Sequence, residues 1–261
     1  MNRYRQTFHL WCAYPGDLLD ENRARDCACL LSADERERMQ SFRFERHRRE
    51  YLAAHVLTRI ALSQHHPIAP EAWAFRANNY GKPVAVPGYG LEFSLSHAPG
   101  LVVCLIGHGG EVGVDTEPEE RAATILEVAA TVFSPAEMAQ LEGLGDKDKS
   151  NRALSLWTLK EAYVKARGIG LSLPLQRFSL PFGGPEGIRL ELDPSLGDDP
   201  ERWRFCLLNH AGHCITAMVR DADNPRLQVW EWRPSMPATR LADAGERWFP
   251  ASPEMSSPIP P

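Results

Sequence analysis

Apolar and polar residues recur along the chain with two periods, and the longer period predicts helices. Between Arg49 and Arg59, and again between Asn151 and Lys165, the apolar positions follow helical spacing. Gly168 lies where it would end the second of these helices, because glycine readily takes the left-handed conformation of a helix C-cap. The pattern therefore predicts one helix in each half of the chain, at corresponding places.

Each of these helical segments is followed along the chain by a pair of short apolar runs. Phe93–Ala98 precedes Leu101–Ile106, and Phe205–Ala211 precedes Cys214–Val219. Only two residues separate the two runs of each pair, which is the spacing of a tight β-hairpin. The shorter pattern therefore predicts two hairpins, one in each half.

A capping box also occurs once in each half. Ser32 is followed three residues later by Glu35, and Ser134 by Glu137, so each serine is expected to begin a helix. Each half then reads as helices followed by antiparallel strands. The predicted fold is α+β, with two pseudo-symmetric lobes that each pack helices on an antiparallel sheet. Chance similarity between two ordinary α+β segments is the alternative.

The repeat suggests boundaries for the lobes. We expect an N-terminal lobe over residues 1–112 and a C-terminal lobe over residues 113–236. The proline-rich residues 237–261 are expected at the surface or disordered, since such a composition cannot form a packed core. The lobes would meet near Gly110–Gly113, and a cleft between them would be the natural place for a ligand.

Composition narrows the class of protein. The chain has 261 residues and a formal net charge of −5, so its charge gives no reason to expect a nucleic-acid partner. No apolar run approaches the roughly 20 residues that span a membrane, and we expect no membrane association. The six cysteines are irregularly spaced, which is typical of reduced, mostly buried thiols in a cytoplasmic protein.

Three acidic residues are the first candidates for chemistry. Asp115 and Glu117 alternate along an extended segment, so their side chains share a face, and two like charges so placed favour a cation between them. Glu161 shares a helix face with Trp157 and Lys165 at intervals of four residues. Taken singly, each feature also fits a solvated strand end or a surface Glu–Lys pair.

Three basic features are candidates for binding an anion. Ser96 and His97 lie at the tip of the first predicted hairpin, and Lys82 lies in a Gly-Lys-Pro turn. A cluster of arginines spans Arg43–Arg49, and the planar guanidinium group suits phosphate. An ordinary surface turn and a solvated helix face are the alternatives.

In their order along the chain, these motifs resemble the surfactin-type 4′-phosphopantetheinyl transferases. The resemblance covers roughly residues 30–180. The motifs that carry it are Gly81-Lys82-Pro83, Phe93-Ser-Leu-Ser96-His97, Gly113-Val-Asp115-Thr-Glu117, Phe133-Ser134-Pro135-x-Glu137, Trp157-Thr-Leu-Lys160-Glu161-Ala-Tyr-Val-Lys165 and Gly168-Ile-Gly-Leu-Ser-Leu173. The family's two-lobed, pseudo-symmetric α+β fold agrees with the repeat.

The resemblance implies an Mg²⁺-dependent enzyme that moves the 4′-phosphopantetheine group of coenzyme A onto a serine of an apo acyl or peptidyl carrier protein. Adenosine 3′,5′-bisphosphate is the implied second product. The enzyme is expected to be a cytoplasmic monomer, and some family members serve one secondary-metabolite pathway. The carrier that this chain serves does not follow from the sequence.

The resemblance also implies roles for individual residues. Asp115, Glu117 and Glu161 match the family's Mg²⁺-binding carboxylates, Glu161 also matches its general base, and Lys165 matches the lysine that balances charge on the pyrophosphate. Trp157 is interpreted as packing support. The positions matched to coenzyme A are Arg49, Lys82, Ser96, His97, Lys160 and Lys165. Arg49 is assigned because Glu50 falls where the family's arginine for the 3′-phosphate is expected.

Two other functions compete with the transferase. One is a non-catalytic module that holds an anionic partner through Arg43–Arg49, with strong salt dependence and without Mg²⁺. The other is an Mg²⁺-dependent phosphohydrolase that uses water in place of the carrier serine. The acidic triad argues against the first, because carboxylates repel an anion unless a metal intervenes.

Overall fold

A computed structural model describes residues 6–183, 187–243 and 249–250 of the chain. The α-helices are α1 (Glu21–Ala28), α2 (Ala33–Ser41), α3 (Glu45–Ser63), α4 (Ala122–Val132), α5 (Pro135–Glu142) and α6 (Asp146–Arg167). The strands are β1 (Thr7–Ala13), β2 (Phe75–Ala77), β3 (Pro83–Ala85), β4 (Leu91–Ala98), β5 (Leu101–His108), β6 (Val112–Pro118), β7 (Phe178–Ser179), β8 (Phe182–Gly183), β9 (Gly187–Ile188), β10 (Glu191–Leu192), β11 (Trp203–His210), β12 (His213–Arg220), β13 (Arg226–Glu231), β14 (Thr239–Asp243) and β15 (Phe249–Pro250). None of the described helices combines the length and apolar character needed to cross a membrane.

The two main sheets repeat one arrangement, which confirms the predicted α+β fold. The first has the strand order β14-β13-β1-β5-β4 and the second has the order β15-β11-β12-β6. In each sheet the strand before the helices pairs antiparallel with one strand of the following hairpin: β1 with β5, and β6 with β12. Both predicted hairpins are present, as β4–β5 and β11–β12.

The helices repeat as well. Ser32 and Ser134 each begin a helix through a complete capping box, in which the serine side chain and the glutamate three residues later bond each other's backbone N–H. Each of these glutamates also pairs with a buried cation of the next long helix. Glu35 Oε2 lies 2.6 Å from Nη2 of Arg59, and Glu137 Oε2 lies 2.9 Å from Nζ of Lys160. The same ion pair therefore ties helix to helix in both lobes.

The two sheets stack face to face, and helices cover their outer faces. Alternate residues of β5 divide between these layers. Val102, Cys104 and Ile106 pack with α3, whereas Leu101, Val103 and Leu105 pack with residues of β6 and β12 in the second sheet. On β12, Met218 joins the core under α6 while Ile215 and Val219 face the first sheet. The lobes therefore share one continuous apolar layer, with the candidate site at its edge.

The strands near the end of the chain correct one expectation about the sheets and add detail to the expected organisation. The first sheet is not wholly antiparallel, because β13 pairs with β1 in parallel. That pairing places Arg226–Glu231 in the first lobe's sheet, although we had assigned residues 113–236 to the second lobe. The segment from residue 237, expected at the surface or disordered, contributes strands: β14 pairs with β13 and β15 pairs with β11. Residues 239–241 of β14 are exposed, as a surface position requires. Residues 244–248 and 251–261 lie outside the described residues.

Candidate active site

The strand β6 carries two of the candidate acidic residues into the boundary between the lobes. Asp115 and Glu117 are 4% and 8% exposed, and both line a cavity of about 360 Å³. The helix α6 contributes Glu161 and Lys165 to the same cavity. The sequence predicts that these side chains converge. They do so in one cavity, although β6 and α6 lie far apart along the chain.

A glycine sets how closely α6 approaches β6. A Cβ atom at Gly113 would lie 2.0 Å from the carbonyl oxygen of Ala162 and 2.7 Å from Cβ of Ala166. No side chain fits in that space, so the helix packs directly on the strand backbone. Because Asp115 follows Gly113 by two residues, this contact brings its carboxylate to the side chains of α6.

Asp115 is the most tightly held acidic residue of the site. Its Oδ1 atom accepts hydrogen bonds from Nζ of Lys165 at 2.6 Å and from Oγ of Ser96 at 2.8 Å. Lys165 Nζ also donates to Ser96 Oγ at 2.7 Å. The second oxygen, Oδ2, is buried and has no hydrogen-bond partner among the described residues. A buried carboxylate oxygen without a partner is costly, so this atom is free to bind a ligand of the site.

The other two carboxylates are destabilised in their charged form. Glu117 Oε1 accepts a hydrogen bond from Nη1 of Arg121 at 2.6 Å. Burial raises the pKa of Glu117 above its ordinary value, and the charge of Asp115 raises it further. Burial likewise raises the pKa of Glu161, with a further increase from Asp115 and Glu117 and an opposing decrease from Lys165. A cation placed among these groups would relieve the burial and the repulsion together.

The donor set fits a hard divalent cation, although its members do not form a closed cluster in this conformation. Among the described residues, no three Asp, Glu, His or Cys side chains lie close enough together to hold a metal ion. Two chain cations, Lys165 and Arg121, are bonded to Asp115 and Glu117 instead. Carboxylate oxygens are the ligands Mg²⁺ prefers, and Mg²⁺ commonly keeps several waters and few protein ligands. The types of donor therefore fit Mg²⁺, and in this conformation two of the three carboxylates are paired with cations of the chain.

A second cavity opens beside the carboxylates and is largely apolar. It measures about 410 Å³. The first lobe lines it with the turn from Tyr80 to Pro83 and with Phe93 and His97, and the second lobe lines it with Val164 and Gly168. Glu161 and Lys165 line both cavities. A ligand with a charged group and a long, less polar arm would fit the two together.

The predicted anion-binding residues occupy different surroundings. His97 is exposed at the mouth of the cavities, whereas Ser96 is buried and bonded to Asp115 and Lys165. Lys82 donates from Nζ to the carbonyl oxygens of Val112 and Ala166, each at 3.1 Å. Arg49 is half-buried on α3, next to Glu50, whose charge acts on His97. Lys82 and His97 line the apolar cavity, and Ser96 and His97 line the charged one, whereas Arg49 lines neither.

Lys160 was expected to contact coenzyme A, and its position in the structure corrects that expectation. It is fully buried, and its Nζ atom bonds the carbonyl oxygens of Leu175 and Phe178 and the carboxylate of Glu137. Glu161, the next residue, faces the cavity because consecutive helical side chains point about 100° apart. Lys160 therefore supports the lobe and does not reach a ligand in the cavities. Trp157 lines the cavity and packs on the second lobe's core, as interpreted from the sequence.

Sequence reasoning missed three residues at the lobe boundary. Arg121 pairs with Glu117, Ser94 accepts a hydrogen bond from the backbone N–H of Val114, and Asn78 donates to the carbonyl oxygen of Gly168. Each bond joins residues that the motifs treat separately. Asn78 is the one with a sequence signal, since asparagine commonly begins a turn before Gly-Lys-Pro.

The chain is similar to several known proteins of one family. The model of the 4′-phosphopantetheinyl transferase superfamily matches residues 111–218. The chain is 30% identical to the 4′-phosphopantetheinyl transferase HetI of Nostoc sp., over 81% of this chain and 86% of that protein. It is 34% identical to a phosphopantetheinyl transferase of Thraustochytrium sp., over 78% of this chain and 75% of that protein.

Two further likenesses are more distant. The chain is 28% identical to the 4′-phosphopantetheinyl transferase Sfp of Bacillus subtilis, over 63% of this chain and 72% of that protein. A crystal structure of a holo-(acyl-carrier-protein) synthase from Bacillus anthracis, in complex with CoA (3′,5′-ADP), is similar with a TM-score of 0.38 and 15% identity. That likeness covers 43% of this chain and 96% of the other.

Proposed function

Since the chain belongs to the 4′-phosphopantetheinyl transferase family, we propose that it moves the phosphopantetheine group of coenzyme A onto a carrier-protein serine. The acceptor is a serine hydroxyl of an apo acyl or peptidyl carrier protein, and adenosine 3′,5′-bisphosphate is released. One observation carries the proposal. Asp115, Glu161 and Lys165 meet in a charged cavity that adjoins an apolar one, which suits a pyrophosphate with a long arm.

The reaction is proposed to depend on Mg²⁺ held by Asp115, Glu117 and Glu161. The unpartnered Oδ2 atom of Asp115 and the raised pKa values of the two glutamates support this assignment. When bound, Mg²⁺ neutralises charge on the pyrophosphate oxygens, which is the main requirement of phosphoryl transfer.

The chain's own side chains divide the remaining work. Glu161 accepts the proton of the attacking serine hydroxyl, and its raised pKa suits a general base better than an ordinary glutamate's would. A bond forms between the serine oxygen and the β-phosphorus as the bond to the bridging oxygen breaks. Lys165 Nζ donates to the pyrophosphate and balances the negative charge of the leaving group.

Coenzyme A is proposed to contact Lys82, Ser96, His97 and Arg49. Lys82 has already used two of its three Nζ donors on backbone carbonyls, which leaves one N–H for the substrate. His97, exposed at the cavity mouth, is placed to meet a phosphate. Arg49 is assigned to the 3′-phosphate because a guanidinium group suits phosphate and because its neighbour on α3, Glu50, acts electrostatically on His97 at the cavity mouth.

The biological setting is part of the same proposal. Both lobes of one chain contribute to the cavities, so one chain supplies a whole site and we propose a monomer. We place the enzyme in the cytoplasm, with a carrier of secondary-metabolite biosynthesis as its partner and no nucleic acid.

Intact-mass spectrometry of an apo carrier tests the function. Incubation with the protein, coenzyme A and Mg²⁺ should add the mass of one phosphopantetheine group, and chelation of Mg²⁺ with EDTA should abolish the addition. An absence of added mass on several acyl and peptidyl carriers would contradict the transferase. Release of adenosine 3′,5′-bisphosphate from coenzyme A without any carrier would favour the phosphohydrolase instead.

A further inference from the structure

The C-terminal end of α6 is completed by side chains from the other lobe. The last carbonyl groups of a helix have no partner within the helix. Here Ala166 O accepts from Nζ of Lys82 at 3.1 Å, and Gly168 O, at the left-handed C-cap, accepts from Nδ2 of Asn78 at 2.9 Å. A lysine ammonium group at this end also complements the helix dipole. The first lobe thus caps the helix that carries Glu161 and Lys165.

The carbonyl oxygen of the Asn78 side chain stabilises the turn that carries this cap. Its Oδ1 atom accepts hydrogen bonds from the backbone N–H groups of Tyr80 and Lys82, each at 2.9 Å. Its backbone N–H donates to the carbonyl oxygen of Lys82 at 2.8 Å. One amide side chain therefore folds the turn 78–82 and ties that turn to α6 across 90 residues of sequence. We call the turn and its two bonds to α6 the cross-lobe clamp.

The cross-lobe clamp lies along one wall of the apolar cavity. Tyr80, Gly81 and Lys82 line the cavity from the first lobe, and Val164 and Gly168 line it from the second. The bond from Asn78 to Gly168 joins these two walls directly. The bond from Lys82 to Ala166 is a second link between the same walls. Gly168 also packs closely here, since a Cβ on it would lie 3.0 Å from Cδ of Lys82.

We propose that Asn78 is a positioning residue that sets the spacing of the two cavity walls and thereby the affinity for coenzyme A. This inference rests on the proposed function, since coenzyme A is the ligand that the cavities would hold. Asn78 acts through the turn and the end of α6, without requiring contact with the reacting atoms. Loss of the bond to Gly168 should therefore weaken coenzyme A binding while leaving chemistry at saturation nearly unchanged.

Asn78→Asp distinguishes the two roles of the side chain, which are to shape the turn and to bond α6. Aspartate keeps the two acceptor bonds that shape the turn but loses the N–H that donates to Gly168. Asn79→Asp is the matched control, because it adds the same charge at the exposed neighbouring position. Asn78→Ser, whose hydroxyl is too short to reach Gly168, adds no charge and stands in if the aspartate variant fails to fold.

The measurements are the Kd for coenzyme A by calorimetry, the KM and kcat of carrier modification, and the Tm. We expect Asn78→Asp and Asn78→Ser to raise Kd and KM by about 2- to 10-fold, the range that one hydrogen bond contributes. The value of kcat should stay within about twofold, and Asn79→Asp should match the wild type.

Three results would overturn the inference: an unchanged Kd in both Asn78 variants, an equal rise in Asn79→Asp, or a fall in kcat without a change in Kd. A wild-type protein that binds no coenzyme A and modifies no carrier would contradict the proposed function itself. The two failures are therefore distinguishable.

Discussion

The Nζ atom of Lys165 lies 2.6 Å from Oδ1 of Asp115, so a helix of the second lobe neutralises the carboxylate at the centre of the site. A second ion pair, between Arg121 and Glu117, neutralises the next carboxylate on the same face of β6. In this conformation a cation of the chain is bonded to one oxygen of each of these two carboxylates. Mg²⁺ bound as proposed would therefore exchange with these cations at the carboxylates.

Asp115→Asn should abolish transfer without unfolding the protein. The amide keeps an oxygen for the bonds from Ser96 and Lys165, but it removes the charge that Mg²⁺ requires. We expect a loss of activity of about 10²-fold or more, with far-ultraviolet circular dichroism unchanged. Isothermal titration with Mg²⁺ measures the binding defect directly. Retention of both Mg²⁺ binding and activity would remove Asp115 from the metal site.

Arg121→Ala should tighten Mg²⁺ binding, because Glu117 then has no competing cation. The Arg121 side chain is 43% exposed, so the ion pair is partly screened by water. The gain should accordingly be about two- to fivefold in affinity. Titration of coenzyme A-free protein with Mn²⁺ by electron paramagnetic resonance, followed by competition with Mg²⁺, measures it. Arg177→Ala, which removes an exposed arginine away from the cavities, is the control. An unchanged or weaker affinity in Arg121→Ala contradicts the exchange.

Lys160→Met should destabilise the fold and leave coenzyme A binding intact in the folded fraction. The substitution leaves the buried carboxylate of Glu137 without its cation. Removing one partner of a buried ion pair typically lowers the free energy of unfolding by about 3–5 kcal/mol. Urea unfolding measures the loss, and Lys147→Met, an exposed position of the same helix, is the control. A variant of normal stability that no longer binds coenzyme A would restore Lys160 to the substrate contacts.

Stability should fall as the pH drops from about 6.5 towards 4, because of a histidine cluster in the first lobe. The rings of His9 and His65 lie 4.2 Å apart. Burial, together with neighbouring histidines, lowers the pKa of each to about 4. In this window the unfolded chain binds protons that the folded chain does not, so acid favours unfolding by up to about 1.4 kcal/mol per pH unit for each ring. Partial exposure of both rings reduces that figure.

Urea unfolding between pH 7 and pH 5 measures this dependence. His65→Gln should flatten the slope by up to one proton, whereas His47→Gln, which lies outside the cluster, should leave it unchanged. An identical slope in His65→Gln and the wild type would show that the cluster does not control acid stability.

Local patterns in the sequence predicted much of the fold. The capping boxes at Ser32 and Ser134, and the two hairpins, depend on residues near one another in the chain, and all four are present. The parallel pairing of β13 with β1 depends on residues more than 200 positions apart, such as Thr7 and Arg226. No local period encodes that partner, so the sequence did not predict that residues 226–231 join the first sheet.

The same limit applies to the site. Alternation along β6 correctly placed Asp115 and Glu117 on one cavity. Motif membership alone could not distinguish Lys160 from Glu161, because adjacent helical positions face different surroundings and only the packed helix reveals which one is buried. The bond from Asn78 to Gly168 joins two motifs through backbone and amide groups. Its existence depends on how the lobes dock.

The pairing of β1 with β13 means that most of the second lobe lies, along the chain, between two neighbouring strands of the first sheet. Its partner in the sheet, β13, follows β1 by about 200 residues along the chain. At ribosomal rates of about 5–20 residues per second, β1 exists for ten seconds or more before that neighbour emerges. One side of β1 remains open during that time, with unpaired backbone groups. The first sheet can therefore be completed only after most of the second lobe has been synthesised.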